Sequence, residues 1–211
     1  MNLLILGIIA ANCVASFQGF NDYNFRSKYL FHIGSIRAGE QIRFLTSGFL
    51  HADIMHLVFN MYTLYMFGPI LAENIGNVNF LLVYLVSLLA GNFLSFALHK
   101  NEPHYSALGA SGAVMGVIYA YILLYPDSKI FVFFIPMKSY IFGILYLLYS
   151  IYGMKAKNDN IGHDAHLGGA VGGLGFMLIK YPELLSAEPL IIALMVIPII
   201  VFGIMAKMGK I

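Results

Sequence analysis

The sequence predicts an all-α fold: a polytopic transmembrane helical bundle of six core helices, with a seventh helix at the C-terminal end. Three observations carry this. Of 211 residues, 60% are hydrophobic and only 10% charged, against about 25% charged in an ordinary soluble domain. Mean hydropathy is +0.80, so polar surface is too scarce to cover a water-soluble globule. The apolar residues gather into seven segments parted by polar turns. Net charge is +2, which leaves no footprint for nucleic acid. A single cysteine, Cys13, excludes a disulfide framework or a cysteine metal cluster within one chain.

The first segment, Leu3–Phe17, has the apolar stretch and small residues of a signal peptide but lacks a basic start, so it reads as a retained helix. A loop of more than thirty residues follows, from Gly19 to about His51, mixing Arg26, Lys28, Arg37, Glu40 and Arg43 with apolar residues. Loops this long are usually functional or folded in their own right. The next segments are Ile54–Leu71, Phe80–Leu98 and Ser111–Tyr125, the last stopped by Pro126. Tyr140–Tyr152 and Ala165–Ile179 complete the core, and Leu190–Ala206 spans despite Pro198. "NEPHYSALG" and "KAKNDNIG" read as exposed turns. The expected organisation is a core over 1–182, with 19–52 as an interfacial loop, and an added helix and tail over 183–211.

Polar groups inside a bilayer are costly, so they face a cavity or one another. "HADIMHLVFN" opens the second segment with His51, His56 and Asn60; "GASG" opens the fourth with Ser111; "GHDAHLGG" opens the sixth with His163, Asp164 and His166. His56 and Asn60 are four apart and share a helix face. His166 lies in line with Gly162, Gly169 and Gly173, and Gly112 and Gly116 form a small-xxx-small pair beside Ser111. Such glycines let membrane helices approach closely, near enough for a Ser–His hydrogen bond. From Ser111 to Pro126 the helix rises roughly 22 Å, against a hydrocarbon core of about 30 Å. Ser111 is therefore expected below the membrane surface, at a helix end whose backbone N–H groups are unpaired. With His56 and Asn60, those groups suit a developing oxyanion.

Each feature also has a plainer reading. Gly-x-Ser-Gly packs helices, a membrane histidine lines cavities, and His56 and Asn60 serve as inter-helix glue. The conjunction of nucleophile, base and donors at neighbouring helix ends is what points to chemistry.

That conjunction resembles the rhomboid family of intramembrane serine proteases. The resemblance rests on "RFLTSGFLHADIMHLVFNMYTLYMFG", "GASGAVMG" and "AHLGGAVGG", and runs from about Ile42 to Gly173. It implies Ser111 as nucleophile, His166 as base, and His56, Asn60 and the Ser111 N–H as oxyanion donors. It implies structural roles for His51, Arg43, Gly109, Gly112 and Gly169, with Met115 where the family often stacks an aromatic ring on the histidine. The implied partners are transmembrane protein substrates and the lipid bilayer, with no nucleic acid, and no cofactor or metal is implied. Glu73 falls one residue later after Asn60 than the family pattern expects, so the turn there is expected to differ.

Family topology implies a multi-pass protein of the cell membrane whose active site opens to the non-cytoplasmic side. The charges run the other way: Lys129, Lys138 and Lys180 on the cytoplasmic side, and the nine other Lys and Arg residues outside, the reverse of positive-inside. Two alternatives compete with the protease. One is an inactive relative that binds membrane clients, although it should lack Ser111 or His166. The other is a metal site from His51, His56, His163, His166 and Asp164, although no His-Glu-x-x-His motif exists.

Overall fold

The structure is a computed structural model describing residues 2–132 and 134–211. It is a helical membrane bundle. The main elements are α1 (Leu3–Asn21), α5 (Ile54–His99), α6 (Ser111–Leu124), α7 (Ser139–Ala156), α8 (His163–Lys180) and α10 (Pro189–Lys207). α1, α5 and α10 are long and apolar enough to cross a membrane, and α6 is a shorter apolar helix.

α5 is two helices joined at Gly76, whose φ of 79° lies in the left-handed region. Glycine enters that region without a steric penalty. The polar stretch "ENIGNVN" therefore reverses the chain at one residue rather than through a loop, and the second and third predicted segments lie in the two arms. Polar contacts gather other ends at this turn. Tyr125 donates to Asn74 Oδ1 at 2.9 Å, Asn79 donates to the Tyr181 hydroxyl at 3.0 Å, and Asn2 donates to Asn77 at 2.6 Å. The N-terminus of α1 and the C-termini of α6 and α8 thus share one end of the bundle.

α6 is the axis. Every residue from Gly112 to Ala120 is buried, as expected of a helix apolar on all sides. It packs against α5 and α8 through glycine. A Cβ on Gly169 would strike the Gly112 carbonyl oxygen, one on Gly173 would strike that of Gly116, and one on Gly116 would strike the Ser87 side chain of α5; between α5 and α8, one on Gly91 would strike the Ala165 carbonyl oxygen. Only glycine lets these backbones touch. Apolar residues on the outer face of α5, including Ile54, Val58, Tyr62 and Tyr65, are exposed. In a bilayer they meet acyl chains, not water.

The first loop is folded. It contains α2 (Tyr23–Tyr29), β1 (Phe31–His32), α3 (Ile33–Arg37), α4 (Arg43–Thr46) and a short 3₁₀ turn at Ser47–Phe49. Phe31, Ile33, Ile36 and Phe44 form a second small core, closed by Leu89, Phe96 and Tyr105. Arg43, nearly fully buried, ties it together. Its guanidinium donates to the Ser27 and Leu30 carbonyls at 2.8 Å and pairs with Glu40.

Three elements depart from the sequence reading. "NEPHYSALG" is not wholly an exposed turn, because β2 (Ser106–Ala107) pairs antiparallel with β1. Two-residue strands carry no periodicity to read. The stretch after Pro126 forms a hairpin of β3 (Lys129–Val132) and β4 (Ile135–Lys138). α1 runs on past Phe17 to Asn21, with Gly19 buried against Leu50. Beyond α8, a short α9 (Leu184–Ala187) leads to α10, whose Met195 reaches the α7 backbone at Gly143.

Candidate active site

At the end of the bundle opposite the Gly76 turn, the first turns of α5, α6 and α8 meet around a cavity of ≈ 840 Å³. Ser111, His166, His56, Asn60 and Gly109 all line it, together with Tyr146 from α7. Ser111 is the first residue of α6, and the preceding Ala110 supplies no side-chain cap. The Ser111 N–H therefore has no partner within the helix. His166 is one turn into α8, buried, with Gly169 pressed on Gly112 directly below. Ser111 and His166 flank that backbone contact. Among the described residues no hydrogen bond joins Ser111 Oγ to the imidazole. Such contacts often tighten only when substrate binds.

Gly109 has a φ of 139° and lets the loop pass against the His56 ring. A Cβ there would sit 2.9 Å from His56 Nε2 and 3.6 Å from Ser111 Oγ. Those two atoms therefore border the same small space. The Ala52 N–H donates to His56 Nδ1 at 3.4 Å, which leaves the ring proton on Nε2, as a donor toward that space. Asn60 spends one amide hydrogen on the His56 carbonyl at 2.9 Å and has a second to offer.

His51 lies outside the helix, in the loop before α5. Its Nε2 accepts from the Ala110 N–H at 3.4 Å, so Nδ1 carries the proton and donates to Ser16 Oγ at 2.8 Å. Ser16 passes the chain on to the Phe49 carbonyl. Burial, helped by the neighbouring His56, pushes the His51 pKa down to about 3, so the ring is neutral in this role. It fastens the loop before Ser111 to α1. Ser16 carried no legible signal beyond being a lone hydroxyl in an apolar helix.

His163 and Asp164 point elsewhere. His163 Nε2 meets Asp159 at 3.1 Å, and its ring lies on Gly153. Asp164 accepts from Tyr105 at 3.3 Å and faces His99 Nε2 at 3.3 Å. Both line a separate cavity of ≈ 450 Å³. Among the described residues no three His, Cys, Asp or Glu side chains are grouped to hold a metal ion. Asn92 also borders the larger cavity, but its amide is committed to Phe44 and Ser47. Met115 is buried in the main core, and the imidazole's hydrogen bond goes instead to Tyr146, 2.7 Å from Nδ1. Tyr146 lies beside the buried stripe of α7, Gly143, Leu147 and Ser150.

Fold and site define a polytopic membrane protein in which a serine, a histidine and amide donors line one cavity. The Rhomboid domain family model matches residues 38–183, and the chain belongs to the rhomboid family. It is 30% identical over 185 residues to RHOMBOID-like protein 12, mitochondrial, of Arabidopsis thaliana, covering 79% of this chain and 55% of that protein. It is 32% identical to the human Presenilin-associated rhomboid-like protein, mitochondrial, covering 70% of this chain and 40% of that one. The Putative rhomboid protease YdcA of Bacillus subtilis is 35% identical, covering 69% and 71% respectively. The chain thus spans about half the length of the mitochondrial relatives or less.

Proposed function

We propose that this chain is an intramembrane serine endopeptidase that hydrolyses peptide bonds of transmembrane proteins with a Ser111–His166 dyad. The observation that carries the reading is the single cavity lined by Ser111, His166, His56 and Asn60. Ser111 Oγ attacks the scissile carbonyl as His166 Nε2 takes its proton. The carbonyl oxygen, now an oxyanion, accepts from the Ser111 N–H, His56 Nε2 and Asn60. The tetrahedral intermediate collapses, His166 hands the proton to the leaving amine, and an acyl-enzyme remains. Water then attacks that ester by the same route in reverse. α6 rises only about 21 Å at ~1.5 Å per residue, so Ser111 sits below the interface and the cavity must admit water from one side. A peptide bond inside an intact helix has its carbonyl already hydrogen-bonded. Segments that unwind easily are therefore the expected substrates.

The test is incubation of the detergent-purified protein with a model transmembrane substrate and, separately, a fluorophosphonate. Cleavage, with one adduct mapping to the Ser111 peptide, is the expected result; a protein that binds the substrate but neither cuts nor labels is an inactive client-binding relative. Asn60→Ala is expected to lower kcat roughly 10²–10³-fold, the usual loss for one oxyanion donor. An unchanged rate would leave the oxyanion to the backbone and His56 alone. The same proposal places the cavity on the non-cytoplasmic side of a cell membrane. Thiol labelling of single cysteines from each side, in a Cys13→Ala background, checks this, and labelling of the cavity end from the cytoplasm would reverse it.

A further inference from the structure

We propose that Tyr146 is the positioning residue for His166, standing where an aspartate stands in a Ser–His–Asp triad. This rests on the protease reading above. Its hydroxyl lies 2.7 Å from His166 Nδ1, and among the described residues the imidazole has no other hydrogen-bond partner. The rings are tilted by 34° with centroids 6.0 Å apart, so the contact is an edge-on hydrogen bond and not a stack. The phenol itself is held. Phe142 and Tyr149 flank it at 5.5 and 6.0 Å, and one turn earlier the Gly143 carbonyl accepts from the Tyr119 hydroxyl at 2.6 Å.

The chemistry needs this partner. His166 acts as a base only if Nε2 is bare, which requires the proton on Nδ1. A neutral imidazole with no partner populates both tautomers, and one of them is useless. In this role the Tyr146 oxygen accepts from Nδ1–H, which leaves its own hydrogen free to turn toward the cavity that Tyr146 lines. When Nε2 takes the serine proton, Nδ1–H remains a donor and the same oxygen supports the charged ring. The other groups near the ring do not serve. Asp164 is committed to Tyr105 and His99, His163 to Asp159, and Met115 has only a weak thioether acceptor.

A phenol carries no charge, so its contribution should be smaller than a carboxylate's. Tyr146→Phe keeps the ring and deletes only the oxygen. kcat should fall roughly 10–100-fold, the scale of one hydrogen bond to a charged group, with KM unchanged. Fluorophosphonate labelling should slow in parallel, because it uses the same base. ¹⁵N NMR of histidine-labelled protein, assigned against a His166→Gln control, should show Nδ1-protonated His166 in the wild type and mixed tautomers in Tyr146→Phe. A merely structural tyrosine would leave the tautomer and the kcat-to-KM split untouched. An active wild type with an unaltered Tyr146→Phe overturns the positioning role and leaves the protease standing. A wild type that neither cleaves nor labels overturns both.

Discussion

Ser111→Ala is expected to cleave no transmembrane substrate and to take no fluorophosphonate, with turnover down by a factor on the order of 10⁴ or more. The substitution removes one oxygen. Among the described residues that oxygen makes no hydrogen bond, so no buried partner is orphaned. Ser111 does not cap α6 either, since the cap position is Ala110. Alanine is the best helix former and adds no volume against Gly112 or Gly116. Helix content, thermal unfolding and detergent elution should match the wild type. The loss then measures chemistry and not folding. Cleavage that persists in Ser111→Ala would show that another nucleophile, or activated water, does the work.

The parts of the fold legible in the sequence are those where one local rule dominates. α6 announces itself because burial on all sides demands an unbroken apolar run, and the glycine rows at Gly112, Gly116, Gly169 and Gly173 announce backbone contact. Ser111 and His166 stand out because a bilayer makes any polar residue expensive. What stayed illegible depends on distant partners. Phe31, Ile33 and Phe44 look like stray apolar residues in a polar loop until Leu89, Phe96 and Tyr105 close over them. β1 meets β2 across more than seventy residues, with two residues each. The imidazole's partner was also hidden. The position four after the serine holds Met115, whereas Tyr146 is one tyrosine among Tyr140, Tyr149 and Tyr152 in α7. Only the phase of that helix against α8 selects it.

His166→Ala should be inactive, losing on the order of 10⁴ in turnover because Ser111 then has no group to take its proton. His163→Ala and Asp164→Asn should keep most of their activity. The crowding of "GHDAH" makes a Ser–His–Asp triad tempting, but successive residues of a helix turn by about 100°, so the three side chains point in different directions. His166 follows the glycine row that touches α6 and lines the cavity with Ser111. His163 is three residues back, about 60° off that line, with its ring on Gly153 and its Nε2 on Asp159. Asp164 is about 200° round and opens on the smaller cavity with His99 and Tyr105, whose rings stack 3.6 Å apart. Its role there is to fasten the start of α8 to the end of α5. Asparagine keeps an oxygen to accept from Tyr105 but drops the charge opposite His99. Asp164→Asn is therefore expected to lose about 1–3 kcal/mol of stability while its kcat, measured on the folded fraction, stays near wild type. If instead kcat fell by several orders of magnitude with the unfolding transition unmoved, Asp164 would have to reach His166 during turnover. The first turn of α8 would then have to unwind to allow it, and the dyad would be wrong.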